Sequence, residues 1–319
     1  MRFRLTGFVV AAAGAALLLT GCSSTSDSEA TAESQPAEVA TKLAIISPDY
    51  SAQPAAKTAI DEFVKQANAA GIETSVVDTK SDNALVNGEI TTAVAQNVDG
   101  IVVAFGTPAE FGEGLQSAMD AGVPVFGLDT GGLAEGILVN VTTDNGFLGN
   151  ASAQAMIDAI GQPGKIAMIN FDAFEPVRLR AEAAKKLFEE NGFTIIETVQ
   201  GDPADSTGFA SKTVGDWLTK YKQGEIDGVW AGWDASALGA YQAIEAAGRT
   251  EVVVTGVDGQ DFARAEVAKG GNWVATVAQD WPAISTQLLT IIEDYYAGNK
   301  PTEQVFFVPG AIITAENAQ

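Results

Sequence analysis

The sequence predicts an α/β protein of two similar lobes, each a doubly wound parallel sheet. Three observations predict this class. Short apolar runs alternate with longer amphipathic segments along most of the chain, which is the pattern of strand–helix–strand units in parallel sheets. Similar landmarks recur in the same order in both halves of the chain. The length of 319 residues suits two domains, because a typical domain has roughly 100–200 residues.

The first half of the chain has short apolar runs separated by helical patterns. Ile60, Phe63, Val64 and Ala67 recur at helical spacing and give the first helix one apolar face. Gly71 follows at the position where glycine commonly ends a helix. We predict strands over 43–46, 72–77, 100–105 and 123–128, and helices over 55–70, 83–96 and 108–121.

The second half repeats this order of elements. Asn191-Gly192 and Gly248 stand at the ends of two of its helical patterns, where glycine is again the expected terminator. We predict strands over 165–169, 193–199, 228–231 and 252–255, and helices over 177–190, 211–222 and 235–247.

Matching landmarks relate the two halves. Asp99-Gly100 opens one predicted strand, and Asp227-Gly228 opens its counterpart. Asp129 follows the next strand of the first half, and Asp258 follows the corresponding strand of the second. The separation is 30 residues from 99 to 129 and 31 residues from 227 to 258. This agreement in order and spacing predicts two lobes of one architecture.

The composition excludes several classes of function. Apolar residues make up 46% of the chain and charged residues 18%, which excludes a disordered or fibrous protein. A net charge of −23 repels the phosphates of nucleic acids. The chain has no histidine and one cysteine, so Ser-His-Asp and Cys-His catalysis, zinc fingers and an internal disulfide are excluded. Chemistry based on carboxylates, Lys, Tyr or a Ser-Lys pair remains open.

The N-terminus has the features of a secretion signal. Residues 1–21 join a short basic start to an apolar run, which is shorter than the roughly 20 residues that span a membrane. The motif Leu19-Thr20-Gly21-Cys22 resembles the lipobox of bacterial lipoproteins, which implies lipidation of Cys22. The alternative is an ordinary signal peptide with an incidental cysteine. Residues 22–40 lack aromatic side chains and predict a flexible tether. We expect an extracytoplasmic protein anchored to the cell membrane by lipid on Cys22.

The candidate ligand-binding residues follow the predicted strands. Ligands of open parallel sheets bind beyond the carboxyl ends of the strands, and two facing lobes bring both sets of ends to one cleft. The first strand-to-helix turn, residues 47–54, has no glycine. It therefore lacks the glycine-rich motif by which such turns bind nucleotide phosphates, and we expect no cofactor. Beyond the strand ends lie Asp49, Tyr50, Gln53, Thr107, Asp129, Thr130, Asp172, Glu175, Trp233, Asp234 and Asp258.

From residue 42 onward the chain resembles the periplasmic sugar-binding proteins of ABC importers, in the branch of the ribose-binding protein with its type I fold. The most specific part is Val254-Thr255-Gly256-Val257-Asp258-Gly259, followed by residues 274–279. Residues 143–145 and 235–240 add to it. The resemblance implies a binding protein without catalysis, in which two lobes close on a sugar.

The resemblance also implies individual sugar contacts. Asp129 matches an Asp that binds sugar hydroxyls from the N-terminal lobe, and Arg178 matches a guanidinium of the other lobe, for which Arg180 competes. Asp258 and Gln279 match two more polar contacts, and Gln53 takes the place of a family Asn near the first strand.

The chain departs from the family pattern at four further candidate sites. Thr130 stands where the family has Arg, and Trp233 stands where it has Asn. A family Asn falls near Phe105, and Tyr50 lies in a first turn that is lengthened. We therefore expect the architecture to carry over but not ribose itself.

These observations predict a lipoprotein that captures a small neutral sugar or sugar alcohol and delivers it to the permease subunits of an ABC importer. The carboxylates, guanidinium and amides named above can donate to and accept from hydroxyl groups. We expect a monomer. We also expect no metal, because a carboxylate pair such as Asp172 and Glu175 more often caps a helix than binds a cation. We expect an N-terminal lobe of 41–143 plus 281–306 and a C-terminal lobe of 144–280 plus 307–319, joined by a three-strand hinge.

Three alternatives remain open at this point. The same fold can present a sugar or an autoinducer to a membrane receptor as a sensor. It can also bind an amino acid or a nucleoside. A carboxylate-based glycoside hydrolase is the third alternative, and it requires two opposed carboxyl groups about 5–9 Å apart.

Overall fold

The computed structural model describes residues 39–318. The predicted signal peptide, Cys22 and nearly all of the predicted tether lie outside the described residues. Over residues 39–318, no helix combines the length and apolar character that crossing a membrane requires.

The first half of the chain and a C-terminal segment build a six-stranded sheet covered by helices. Its strands are β1 (Lys42–Ser47), β2 (Glu73–Asp78), β3 (Gly100–Ala104), β4 (Val125–Leu128), β5 (Ile137–Thr142) and β11 (Val305–Phe307). Its helices are α1 (Pro54–Ala69), α2 (Asn83–Ala95), α3 (Gly112–Ala121) and α9 (Trp281–Tyr296). The strand order is β11-β5-β4-β3-β1-β2, with parallel pairing throughout.

The second half of the chain builds the other six-stranded sheet. Its strands are β6 (Lys165–Asn170), β7 (Thr194–Gln200), β8 (Gly228–Ala231), β9 (Val253–Asp258), β10 (Trp273–Ala278) and β12 (Ala311–Thr314). Its helices are α4 (Asn145–Ile160), α5 (Glu175–Glu190), α6 (Ser206–Lys220), α7 (Asp234–Ala247) and α8 (Asp261–Val267). The order is β12-β10-β9-β8-β6-β7, and β12 alone runs antiparallel in it.

The predicted α/β class is confirmed, with two parallel-dominated sheets of the same strand order. Each sheet is covered on both faces because its strands alternate their side chains between two cores. In β1, Leu43 and Ile45 pack towards α1 and α9, whereas Ala44 and Ile46 pack towards α2 and α3. This double burial explains why the strands appear in the sequence as continuous apolar runs.

The chain passes between the two sheets at three places, after β5, after β10 and after β11. These passages lie side by side. Val308 N donates to the Thr142 carbonyl oxygen at 2.8 Å. A Cβ placed on Gly310 would lie 2.9 Å from the Ala278 carbonyl oxygen and 3.2 Å from a methyl carbon of Thr143.

Candidate functional site

A cavity of about 320 Å³ lies where the carboxyl ends of strands from both sheets meet. We call it the central cavity. Segments after β1, β2, β3 and β4 form its wall on one side, and segments after β6, β7 and β8, with Asp258 at the end of β9, form it on the other. Its volume is at the small end of the range typical of ligand pockets. The strand-end candidates that line it are Asp49, Gln53, Phe105, Thr107, Asp129, Trp233 and Asp258.

Three lining residues have an unusual backbone conformation. Phe105, Asp129 and Asp258 lie at strand ends, with φ angles of +60°, +50° and +115°. Residues other than glycine rarely adopt positive φ angles, because the backbone strain costs roughly 1–3 kcal/mol per residue. Three such residues around one cavity indicate that the fold uses stabilisation elsewhere to hold these side chains in place.

A charged cluster of Asp129, Asp258 and Arg180 forms the most buried part of the central cavity. Arg180 donates to Asp258 Oδ1 at 3.1 Å, and it also donates to the Gly232 carbonyl oxygen. Thr142 donates to Asp129 Oδ1, while Asp129 Oδ2 has no hydrogen-bond partner in the described chain. An unpaired buried acceptor costs free energy, so a ligand that donates a hydrogen bond here is stabilised.

The guanidinium at the cavity belongs to Arg180 and not to Arg178, which differs from our prediction. Arg178 lies outside the cavity lining, and its side chain is 36% exposed and pairs with Glu182 at 2.8 Å on its own helix. Arg180 is 2% exposed. Residues two apart on a helix point about 200° apart, so only one of the two arginines can face the cavity.

Two residues of α4 fix the position of Arg180. Asn145 Oδ1 accepts a hydrogen bond from Arg180 Nε at 2.8 Å. Gly149 lets the two helices approach closely, because any Cβ there would collide with the Arg180 carbonyl oxygen. The crossing of α4 and α5 therefore selects which arginine reaches the cavity.

Three other predicted site residues are not part of the cavity lining. Gln279 supports the charged cluster from behind, since its Nε2 donates to Asp258 Oδ1 at 3.3 Å. Thr130 is buried and donates to the Gly132 carbonyl oxygen at 2.9 Å. The Tyr50 hydroxyl donates to Asp61 Oδ1 at 2.8 Å, beside α1.

The acidic strand-end residues Asp172 and Glu175 serve local structure. Asp172 accepts hydrogen bonds from Asn170 and from Gln200 Nε2, and Glu175 lies 3.5 Å from Arg178. Across the described part of the chain, no group of three or more His, Cys, Asp or Glu residues is arranged to hold a metal ion.

Aromatic rings form the apolar wall of the central cavity. Phe105 stacks with Phe174 at a centroid distance of 6.3 Å, and Phe171 lies in the same wall. Trp233 Nε1 donates to Ser206 Oγ at 3.0 Å, which leaves its ring as lining. Ring faces of this kind pack against the C–H groups of a sugar or polyol.

Sequence reasoning missed several lining residues. Phe171 directly follows β6 and Phe174 stands three residues later, whereas the sequence prediction for that turn named only the polar Asp172 and Glu175. Three further lining residues lie at or just before the starts of helical segments: Asn83, Glu110 and Asp202. Asp202 could have been predicted as a strand-end residue, because it follows β7 at the N-cap of the next helical turn. Its side chain accepts a hydrogen bond there from Ala204 N at 2.9 Å.

Hydrogen bonds close the cavity between the two sets of strand ends. Gln53, after β1, donates to the Pro203 carbonyl oxygen and to Ser206 Oγ, the latter at 3.1 Å. On the same side, Thr58 Oγ1 donates to Gln260 Oε1 at 3.2 Å. The structure therefore has the closed arrangement of the two sheets.

Residues 43–300 match the family model described as periplasmic binding protein domain. The chain belongs to the periplasmic binding protein family. This is a family of extracytoplasmic solute-binding proteins rather than of enzymes.

Known relatives of this periplasmic binding protein cover most of its length. It is 28% identical to a D-apiose import binding protein of Actinobacillus succinogenes over 87% of this chain and 89% of that protein. It is 25% identical to a xylitol-binding protein of Mycolicibacterium smegmatis over 82% of this chain and 73% of that protein. A solute-binding protein of an ABC transporter from Agrobacterium vitis, solved with allitol bound, has a TM-score of 0.79 and 25% identity over 87% of this chain and 96% of that one.

Burial perturbs the acids of this periplasmic binding protein at the cavity. Loss of water raises the pKa of Asp258 to about 6; Arg180 opposes this rise and the charge of Asp129 adds to it. Burial also raises the pKa of Asp129, against the lowering effects of Arg180, Thr142 and Gln279. Burial raises the pKa of Asp49 to about 6, with a further contribution from Asp78.

The raised pKa of Asp258 predicts how stability depends on pH. Between about pH 4 and pH 6 the Asp258 carboxyl is protonated in the folded protein but ionised in the unfolded chain. The contribution of this proton to the free energy of unfolding is therefore complete below about pH 4 and is lost as pH rises through 6. A rise from 3.8 to about 6 corresponds to about 3 kcal/mol at roughly 1.4 kcal/mol per unit.

Denaturant unfolding of ligand-free wild type and Asp258→Asn checks this prediction. The variant cannot titrate at this position. Its free energy of unfolding relative to that of wild type should therefore rise by about 2–3 kcal/mol between pH 4 and pH 7. A difference that stays constant, or that moves in favour of wild type as pH rises, would contradict it.

Proposed function

We propose that this periplasmic binding protein captures a small sugar or sugar alcohol in the central cavity and delivers it to the permease of an ABC importer. The observation that carries the proposal is the charged cluster. Asp129, Asp258 and Arg180 are buried around one cavity, and Asp129 Oδ2 has no hydrogen-bond partner within residues 39–318. The relatives named for D-apiose and xylitol import or binding, and the allitol complex, support the same ligand class.

The chemistry of the lining suits a polyhydroxy ligand. A hydroxyl group donates and accepts, so it can donate to Asp129 Oδ2 and accept from Arg180 in the same position. The rings of Trp233, Phe105 and Phe174 border the cavity and suit the C–H faces of the carbon chain or ring. Such a ligand contacts both the charged cluster and the aromatic rings.

Binding and closure are one event in this proposal. The ligand contacts come from both sheets: Asp129 follows β4, whereas Arg180 and Asp258 belong to α5 and β9. An open form separates these groups, and only a ligand that satisfies both sets stabilises the closed form. We propose that the three passages at 143–144, 279–280 and 308–310 act as the hinge between lobes of 41–143 plus 281–306 and 144–280 plus 307–319.

We further propose that the protein works as a monomer tethered outside the cytoplasm. Lipid on Cys22 would hold it at the membrane, and residues 22–40 would let the folded part reach the permease. Mass spectrometry of the membrane fraction tests the anchor, since lipidation adds the mass of a diacylglycerol to the N-terminal peptide.

A thermal-shift screen tests the proposed ligand class. Pentoses, hexoses, tetritols, pentitols and hexitols are compared with amino acids and nucleosides. A true ligand at 100 times its Kd should stabilise the protein by roughly 2.7 kcal/mol. The proposal fails if no sugar or polyol shifts the melting curve while an amino acid or a nucleoside does.

Site variants connect the response in the screen to the charged cluster. Asp129→Ala and Asp258→Ala should lose the shift while each still shows a cooperative melting transition. Asp120→Ala is the matched control, because Asp120 is exposed on α3 and contacts Gln116 of its own helix. A normal ligand response in both cavity variants would move the site elsewhere.

A further inference from the structure

The central cavity has many more acidic groups than basic ones. Counting only the described residues, five carboxyl groups and one guanidinium line it. Asp129 and Asp258 are almost fully buried, whereas the other acids lie nearer the mouth of the cavity. Since a hydroxyl group carries no charge, a neutral sugar leaves this excess uncompensated. The charged lining residues are Asp49, Glu110, Asp129, Asp202, Asp258 and Arg180.

The single guanidinium is largely committed to protein groups. Arg180 donates to Asp258, to the Gly232 carbonyl oxygen and to Asn145. Asp129 receives one direct hydrogen bond, from Thr142, on Oδ1. Its Oδ2 is fully buried with no partner among residues 39–318. Among the described residues, the deepest carboxylate of the cavity therefore has a free acceptor oxygen and no direct ion-pair partner.

The remaining wall also favours positive charge. Phe105, Phe174 and Trp233 present rings to the same space, and the face of an aromatic ring attracts a cation, most strongly where water is excluded. A buried carboxylate together with aromatic faces is the combination that suits an ammonium group.

We propose that the central cavity accepts polyols that carry a protonated amine and holds them more tightly than the corresponding neutral polyols, with the ammonium group donating to Asp129 Oδ2. This inference rests on the proposed function, because the hydroxyl groups of the same ligand use Arg180 and Asp258. The amine replaces one hydroxyl and supplies the charge that the lining lacks.

Calorimetric titration of matched pairs tests this inference. Each alditol, including xylitol, allitol and D-glucitol, is compared at pH 7.5 with its 1-amino-1-deoxy counterpart, and D-glucose is compared with D-glucosamine. We expect the amine of at least one pair to bind about tenfold more tightly, because hydrogen bonds to charged groups are the stronger ones. In Asp129→Asn that ratio should fall to about one, and in the exposed control Asp120→Asn it should stay unchanged.

The outcomes separate this inference from the proposed function. If neutral polyols bind wild type and none of their amino counterparts binds more tightly, the inference is overturned and the proposed function stands. A preference for the amine that persists in Asp129→Asn also overturns it. If neither set binds, the proposed function fails as well. The ratio in wild type decides the question even if Asp129→Asn does not fold.

Discussion

Replacing Arg180 by alanine is expected to weaken ligand binding and to lower the free energy of unfolding by about 3–5 kcal/mol, because it leaves a buried carboxylate without its counter-charge. Arg180 is 2% exposed and is the direct ion-pair partner of Asp258. Its loss leaves Asp129 and Asp258 facing each other as like charges. Ligand affinity should fall by more than about tenfold, since a hydrogen bond to a charged group contributes roughly 1.5–3 kcal/mol.

Arg178→Ala is the matched control for this variant, because it removes the same side chain two residues earlier on the same helix. Arg178 pairs only with exposed glutamates in the geometry described above, and such surface pairs are worth about 0–1 kcal/mol. Denaturant unfolding and calorimetric titration of both variants give the comparison. Near-normal binding by Arg180→Ala together with loss of binding by Arg178→Ala would reverse our assignment of the guanidinium.

Replacing Trp233 by alanine is the second change with a large expected effect. The side chain is 6% exposed and belongs to the core cluster of the second sheet while its ring also lines the cavity. Truncating a buried tryptophan costs about 3–5 kcal/mol. The enlarged cavity should also lower ligand affinity by about tenfold, because one wall that packs against the ligand is lost.

Trp233→Phe separates ring packing from hydrogen bonding. It keeps an aromatic wall but removes the indole N–H that donates to Ser206 Oγ at 3.0 Å, so we expect a loss of only about 1 kcal/mol in unfolding free energy. Urea unfolding and ligand titration of both variants check this. An alanine variant as stable as the phenylalanine variant would show that the ring is not part of the core.

The position of both acids could be predicted from the sequence because duplication and strand pattern agree. Asp129 and Asp258 stand at equivalent strand ends, and parallel sheets bring such ends to one edge. The choice between Arg178 and Arg180 could not be predicted in this way. It depends on how α5 is rotated against α4, which is set by the close approach at Gly149 and the contact with Asn145. Neither contact is visible in a local helical pattern.

Several elements were also beyond local pattern reading. The strand β5 contains Asn140, which looks polar but is buried and hydrogen-bonded to the backbone of Thr130. The strands β11 and β12 have three and four residues, too few for a periodic signal. Their assignment needs the sheets against which they pair. The position of the Tyr50 side chain was not predictable from a local pattern either, because its hydroxyl donates to Asp61 on α1 and does not line the cavity.

The most direct measurement of the central claim is a crystal structure of the protein with the tightest ligand from the thermal-shift screen. Our account predicts a hydroxyl or amine of the ligand within about 2.6–3.2 Å of Asp129 Oδ2, another group at the same range from Arg180, and ring contacts with Trp233. A ligand bound outside the central cavity, or held by residues of one sheet alone, would contradict the account.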